Sequence, residues 1–133
     1  MDIRRYPVGE CRSPGVALKG LLFCVVLAAP GYALAHASLV KSVPAQRAVL
    51  ARAPAKIQLW FSERLEARFS SFSLFDANAK AVGLGVVEVE RDDPKSLSAQ
   101  IKALPGGRYL VKYRVLSIDG HVTENEFRFT IAQ

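Results

Sequence analysis

From residue 38 onward the chain alternates apolar and polar side chains in short runs, and this period-two pattern constrains the fold most. Ile57, Leu59 and Phe61 alternate with Gln58, Trp60 and Ser62. Phe72 and Leu74 alternate with Ser71, Ser73 and Phe75, and Val87 and Val89 with Glu88 and Glu90. Leu97, Ala99 and Ile101 form the next run, then Tyr109, Val111, Tyr113 and Val115, and last Phe127, Phe129 and Ile131. Alternation of this kind places one face of a strand in a core and the other in water. Turn formers separate the runs: Pro44, Pro54, Asp76-Ala77-Asn78, Asp92-Asp93-Pro94, Pro105-Gly106-Gly107 and Asp119-Gly120. A further strand fits residues 38–42. About seven short strands with regular turns predict an all-β sandwich or small barrel in a single domain. Trp60, Phe61, Tyr109, Tyr113, Phe127 and Phe129 are expected in the core or on sheet faces. Arg108, Lys112, Arg114 and Arg128 are expected on the solvated side of two strands.

The first 35 residues obey a different rule. Arg4, Arg5, Arg12 and Lys19 precede the apolar run of residues 21–29; Pro30-Gly31 follows, and then Ala33-Leu34-Ala35. A basic segment, a short apolar segment and an A-x-A ending form the pattern of a secretory signal peptide. The apolar run is shorter than the roughly 20 residues a membrane-spanning helix needs. Residues 1–35 are therefore expected to be a cleaved signal peptide, with export to the periplasm and a mature domain of residues 36–133. Both cysteines, Cys11 and Cys24, and the single methionine, Met1, fall in the removed segment. The mature domain would have no disulfide, thiolate or thioether. The chain carries 18 basic and 12 acidic residues, four and two of them in the leader, so the mature net charge would be +4. Glu88, Glu90, Asp92 and Asp93 interrupt any basic stripe, which argues against nucleic-acid binding. The mature chain contains no membrane span.

Two histidines remain, His36 and His121. Taken alone each is unremarkable, since Asp-Gly before His121 is a common hairpin turn. Cleavage after Ala35 changes the chemistry of the first. A histidine at an N-terminus offers an α-amine and an imidazole from one residue, and together they can close a chelate ring. That amine has a pKa near ~8, so a metal can displace its proton at neutral pH. His121 could add a nitrogen, and Asp119 or Glu63 an oxygen. Nitrogen and oxygen donors in a tetragonal arrangement suit Cu(II), and no soft Cu(I) site of sulfur ligands can be built from the mature chain alone.

Residues 36–45, directly behind the predicted cleavage point, resemble the start of the CopC copper-resistance family. Residues 53–63, ending Trp60-Phe61-Ser62-Glu63, and residues 104–121, ending Asp119-Gly120-His121, continue the resemblance in order and spacing, and Phe127 to Ile131 fit the last strand. The resemblance implies an immunoglobulin-like, CopC-type β-sandwich that acts as a monomer. It implies one Cu(II) ion held by His36, Asp119 and His121, with Glu63 as a fourth ligand. It also implies a periplasmic role in copper homeostasis or resistance, buffering copper or delivering it, without catalysis. A CopD-type inner-membrane protein is the implied partner, expected on a separate chain because no span follows Gln133. Some relatives carry a methionine-rich loop for Cu(I); residues 74–85 contain no methionine or histidine, which points to the Cu(II)-only type. Two alternatives compete. One is a metal-free sandwich for protein interaction. The other is a copper monooxygenase-like enzyme, which shares the N-terminal histidine chelate but needs a broader substrate surface than 98 residues supply.

Overall fold

Each predicted run is a strand. The computed structural model describes residues 36–133, all within one compact unit, Ala33–Gln133. The expected signal peptide, its cleavage point, Cys11 and Cys24 lie outside the described residues. The strands are β1 (Leu39–Val43), β2 (Val49–Leu50), β3 (Lys56–Phe61), β4 (Ser71–Phe75), β5 (Ala81–Val82), β6 (Glu88–Val89), β7 (Ser96–Gln100), β8 (Gly107–Leu116) and β9 (Val122–Ile131). β2 and β5, two residues each, are additional to the seven expected.

The strands form two sheets. One has the order β1-β3-β7-β6 and the other β2-β9-β8-β4-β5. All pairings are antiparallel except β2 with β9. The core lies where their apolar faces meet, as the alternation requires. Ile57, Leu59 and Phe61 of β3 and Leu97 and Ala99 of β7 face Phe72, Leu74, Tyr109, Val111, Tyr113, Val115, Phe127, Phe129 and Ile131 of the other sheet. Phe61 meets Tyr113 edge-to-face at 5.4 Å, joining the two layers near one end, and Tyr109 stacks on Phe129 at 5.5 Å. The buried Tyr109 hydroxyl donates to the Pro105 carbonyl at 2.8 Å, so burial strands no polar atom there.

The outer faces also follow the sequence pattern. Arg108, Lys112, Arg114 and Arg128 are exposed. Three of them pair with acids on β9: Lys112 with Glu126 at 3.6 Å, Arg114 with Glu124 at 2.7 Å, and Arg128 with Glu126 at 3.1 Å. Such exposed pairs add little stability. Of the aromatics expected in the core or on sheet faces, Trp60 lies on an outer face, under the Lys41 ammonium at 4.8 Å from the ring centre.

The connection from β3 to β4 positions the site. Residues 62–70 leave the first sheet and join the second, crossing one end of the sandwich on the way. There Leu65 bridges to Ser117, Ile118 N–H donates to the Arg64 carbonyl at 3.1 Å, and Glu66 N–H donates to the Leu116 carbonyl at 2.8 Å. The start of the crossing therefore lies beside the loop between β8 and β9. A single turn of 3-10 helix, Ala67–Phe69, completes it.

Candidate metal centre

The site is built on the β8–β9 loop, residues 117–121. β8 and β9 pair over ten residues up to Leu116 opposite Val122, so the loop sits on a rigid stem. Ser117 is fully buried. Its N–H donates to the His121 carbonyl at 3.0 Å, and Gly120 N–H donates to the Ser117 carbonyl at 2.9 Å. Gly120 has φ 91°, a left-handed conformation that glycine adopts without strain. The Ser117 hydroxyl donates to Oδ1 of Asp119. Its oxygen also lies 3.1 Å from the His121 carbonyl, but the single hydroxyl proton goes to the charged acceptor. His121 N–H adds a weaker contact to the same Oδ1 at 3.4 Å.

These bonds turn the other Asp119 oxygen toward the histidine ring. Oδ2 lies 3.2 Å from Nδ1 of His121. This is ion-pair distance, and Nδ1 is buried with no partner in hydrogen-bond geometry. Asp119 titrates below the ordinary carboxylate value. The Ser117 hydrogen bond is the main cause, reinforced by His121 and opposed by partial desolvation.

His36 reaches this loop from 85 residues away in the chain. Its ring centre lies 5.4 Å from that of His121, with the planes tilted by 46°. The next residue, Ala37, is fully buried. Ser62, just beyond β3, holds the segment in place. Ser62 N–H donates to the Ser38 carbonyl at 2.9 Å. The Ser62 hydroxyl oxygen accepts from Ser38 N–H at 3.0 Å and lies 3.3 Å from the His36 carbonyl. The Ser38 hydroxyl lies 3.4 Å from that carbonyl.

The structure thus brings His36, Asp119 and His121 to one end of the sandwich. Glu63 follows Ser62 on the crossing loop and is half-buried, but among the described residues no hydrogen bond or ion pair engages its carboxylate. Among the described residues no group of three or more His, Cys, Asp or Glu side chains is gathered into a metal-holding set. Ser62 and Ser117 are the residues the sequence reading missed. Each is a lone serine with no periodic signal; only their positions beside Glu63 and two residues before Asp119 could have marked them.

A family model described as the CopC domain matches residues 39–132. The chain belongs to the CopC family. It is 35% identical over 106 residues to copper resistance protein C of Escherichia coli, covering 74% of this chain and 83% of that protein. It is 31% identical over 114 residues to copper transport protein CutJ of Bacillus subtilis. That match takes in 85% of this chain but 21% of CutJ, so the chain spans about a fifth of that relative. Among solved structures it is similar to CopC from Methylosinus trichosporium OB3b, with TM-score 0.69 and 35% identity over 73% of this chain and 94% of that one. It is also similar to PcoC, a methionine-rich copper resistance protein from Escherichia coli, with TM-score 0.65 and 35% identity over 73% and 99%. These neighbours confirm the CopC-type β-sandwich.

Proposed function

We propose that the protein, trimmed to begin at His36, is a periplasmic Cu(II)-binding protein that holds one ion for copper homeostasis or resistance. The proposed ligands are the His36 amine and imidazole, His121 Nδ1 and Asp119 Oδ2, with Glu63 as a further oxygen donor from the crossing loop. The observation that carries the reading is the orphaned His121 Nδ1 facing a carboxylate oxygen. The two atoms lie 3.2 Å apart, and a cation held between them would engage both. Bonds of about 2 Å to both atoms would meet at the ion at about 105°, an acceptable angle for neighbouring ligands. The same bond length puts two imidazole centres on one ion about 4.5–6 Å apart, and the observed 5.4 Å lies within that window. The lowered Asp119 pKa keeps that oxygen ionised and available.

One proposed ligand, the His36 amine, is not a side chain. In the uncut chain the His36 nitrogen is an amide; peptide cleavage turns it into an amine. The choice of copper rests on the copper-resistance and copper-transport names of the relatives, on hard nitrogen and oxygen donors, and on copper's place at the top of the divalent affinity order. Unlike the methionine-rich PcoC, this chain has no methionine beyond Met1 and no cysteine beyond Cys24, so a Cu(I) site is not proposed. Delivery to a CopD-type membrane protein is part of the proposal, supported by the longer copper transport protein CutJ, of which this chain resembles one portion. The proposed role is holding and passing the ion, without turnover.

The test is titration of the trimmed protein with Cu(II), read by electron paramagnetic resonance and by competition with a chelator. His121→Ala should weaken binding by about a hundredfold or more, beyond the usual loss of an outer-shell partner, and should remove one nitrogen from the hyperfine pattern. An affinity within twofold of the parent, with an unchanged spectrum, would refute the ligand set.

A further inference from the structure

Along the first half of β9 the backbone is satisfied on one side only. Ser117 N–H donates to the His121 carbonyl at the mouth of the β8–β9 ladder, and the register then runs unbroken from Val122 to Ile131. Odd-numbered residues of β9 therefore bond to β8, and even-numbered ones turn their N–H and C=O groups to the opposite edge. β2 uses that edge at the far end: Arg47 N–H donates to the Arg128 carbonyl at 2.7 Å and Thr130 N–H to the Ala48 carbonyl at 2.8 Å. β2 is two residues long and reaches no further. Among the described residues no strand pairs with this edge from Val122 to Glu126, and Val122, Glu124, Asn125 and Glu126 are exposed. Glu126 N–H is capped by Asn125 Oδ1 at 2.8 Å, which leaves the outward backbone groups of Val122 and Glu124 to water. The other edges are blunted. β1 shifts register between Leu39 and Lys41, and β5 and β6 are two residues each; bulges and short strands are ordinary protection for an edge.

We propose that this edge takes up an extended, basic segment of a partner protein as an additional strand of the five-stranded sheet. Main-chain bonds to Val122 and Glu124 supply the pairing, as in other cases of strand addition. Charge selects the occupant. On the outer face Glu124 pairs with Arg114 at 2.7 Å and Glu126 with Lys112 at 3.6 Å. A cation on the far side of either glutamate completes a row of cation, carboxylate and cation, and opposite charges that face each other across strands stabilise their pairing. A second copy of this chain fits poorly. The antiparallel register that pairs the whole segment, Val122 with Glu126, sets Glu124 against its own counterpart, and like charges there oppose association. The glutamates thus reject self-pairing and favour lysine or arginine at alternate positions of the incoming strand. The segment begins one residue after His121, so the added strand runs from the loop of the candidate metal centre along β9. The inference does not depend on that centre being occupied.

The experiment titrates the metal-free protein, trimmed to His36, with two capped peptides and follows the backbone amides by NMR and hydrogen exchange. One peptide is acetyl-Lys-Thr-Lys-Thr-Val-amide, which in antiparallel register sets its lysines opposite Glu126 and Glu124 and its valine opposite Val122. The other carries glutamate in place of both lysines. Without peptide, the Val122 and Glu124 amides should exchange about tenfold or more faster than those of Thr123 and Asn125, which bond to β8. The lysine peptide should shift and protect the Val122 and Glu124 amides, and the glutamate peptide should bind about tenfold more weakly. Glu124→Lys combined with Glu126→Lys should reverse that preference, and the fold should stand because the ion pairs it breaks are exposed. Equal binding of the two peptides, or no change at Val122 and Glu124 with either, overturns the proposal. Protection of these amides that grows with protein concentration alone makes the occupant a second copy and overturns it as well.

Discussion

Ser62 offers a way to loosen the proposed centre without touching a ligand. Its hydroxyl oxygen accepts from Ser38 N–H at 3.0 Å and lies 3.3 Å from the His36 carbonyl. Ser62→Ala removes both contacts and leaves the backbone bond from Ser62 N–H to the Ser38 carbonyl intact. The fold should survive, because Ala37 stays buried and β1 remains paired with β3. Both lost contacts are solvent-accessible, so each contributes near the lower end of the usual range, about 0.5 kcal/mol. Together they bias the terminal segment toward its docked position by about 1 kcal/mol. If docking is required for His36 and His121 to share an ion, that loss lowers Cu(II) affinity about fivefold. The assay is chelator competition on the trimmed Ser62→Ala protein, with thermal melting as the control for the fold. An unchanged affinity beside an unchanged melting temperature would refute the idea that Ser62 presents His36 to the loop.

Other predictions concern the scaffold. Phe129 is 1% exposed and stacks on Tyr109; Phe129→Ala should cost about 3–5 kcal/mol in urea unfolding, a large share of the total stability of so small a domain, and a loss under about 1 kcal/mol would mean the core is not where the structure places it. The Ser98 hydroxyl donates to Glu90 at 2.5 Å and, with Lys56 at 3.6 Å, holds the Glu90 carboxyl below its ordinary 4.5 against partial desolvation. A carboxylate depressed in the folded state stabilises above its unfolded pKa, and that contribution disappears as pH falls through the folded value. Ser98→Ala should therefore move Glu90 upward in a carboxyl NMR titration and shift the acid loss of stability to higher pH; an unmoved titration curve would contradict the assignment.

The fold was legible because the chain repeats one rule. The inward residues of β3, β4, β8 and β9 were all visible as alternation, and the outward arginines and lysines were visible between them. β2 and β5 were not, since Val49-Leu50 and Ala81-Val82 are too short to show a period. Trp60, between Leu59 and Phe61, alternates with the inward residues and lies on the outer sheet face. The site was legible only in part. His36, Asp119 and His121 stood out through their resemblance to a family, and their convergence depends on a chain crossing between sheets that no local pattern encodes. Ser62 and Ser117 act through hydrogen bonds in three dimensions, and a lone serine leaves no signature in sequence. Glu63 remains a neighbour of the site by backbone position alone.

Native mass spectrometry of the exported protein with its bound metal tests the central claim most directly, alongside a variant that retains Ala35 ahead of His36. The account predicts a chain beginning at His36 that carries one copper ion, and a variant with its terminal amine displaced by one residue that carries none. A polypeptide starting elsewhere that still holds copper, or an Ala35-bearing variant that loads equally well, would contradict it.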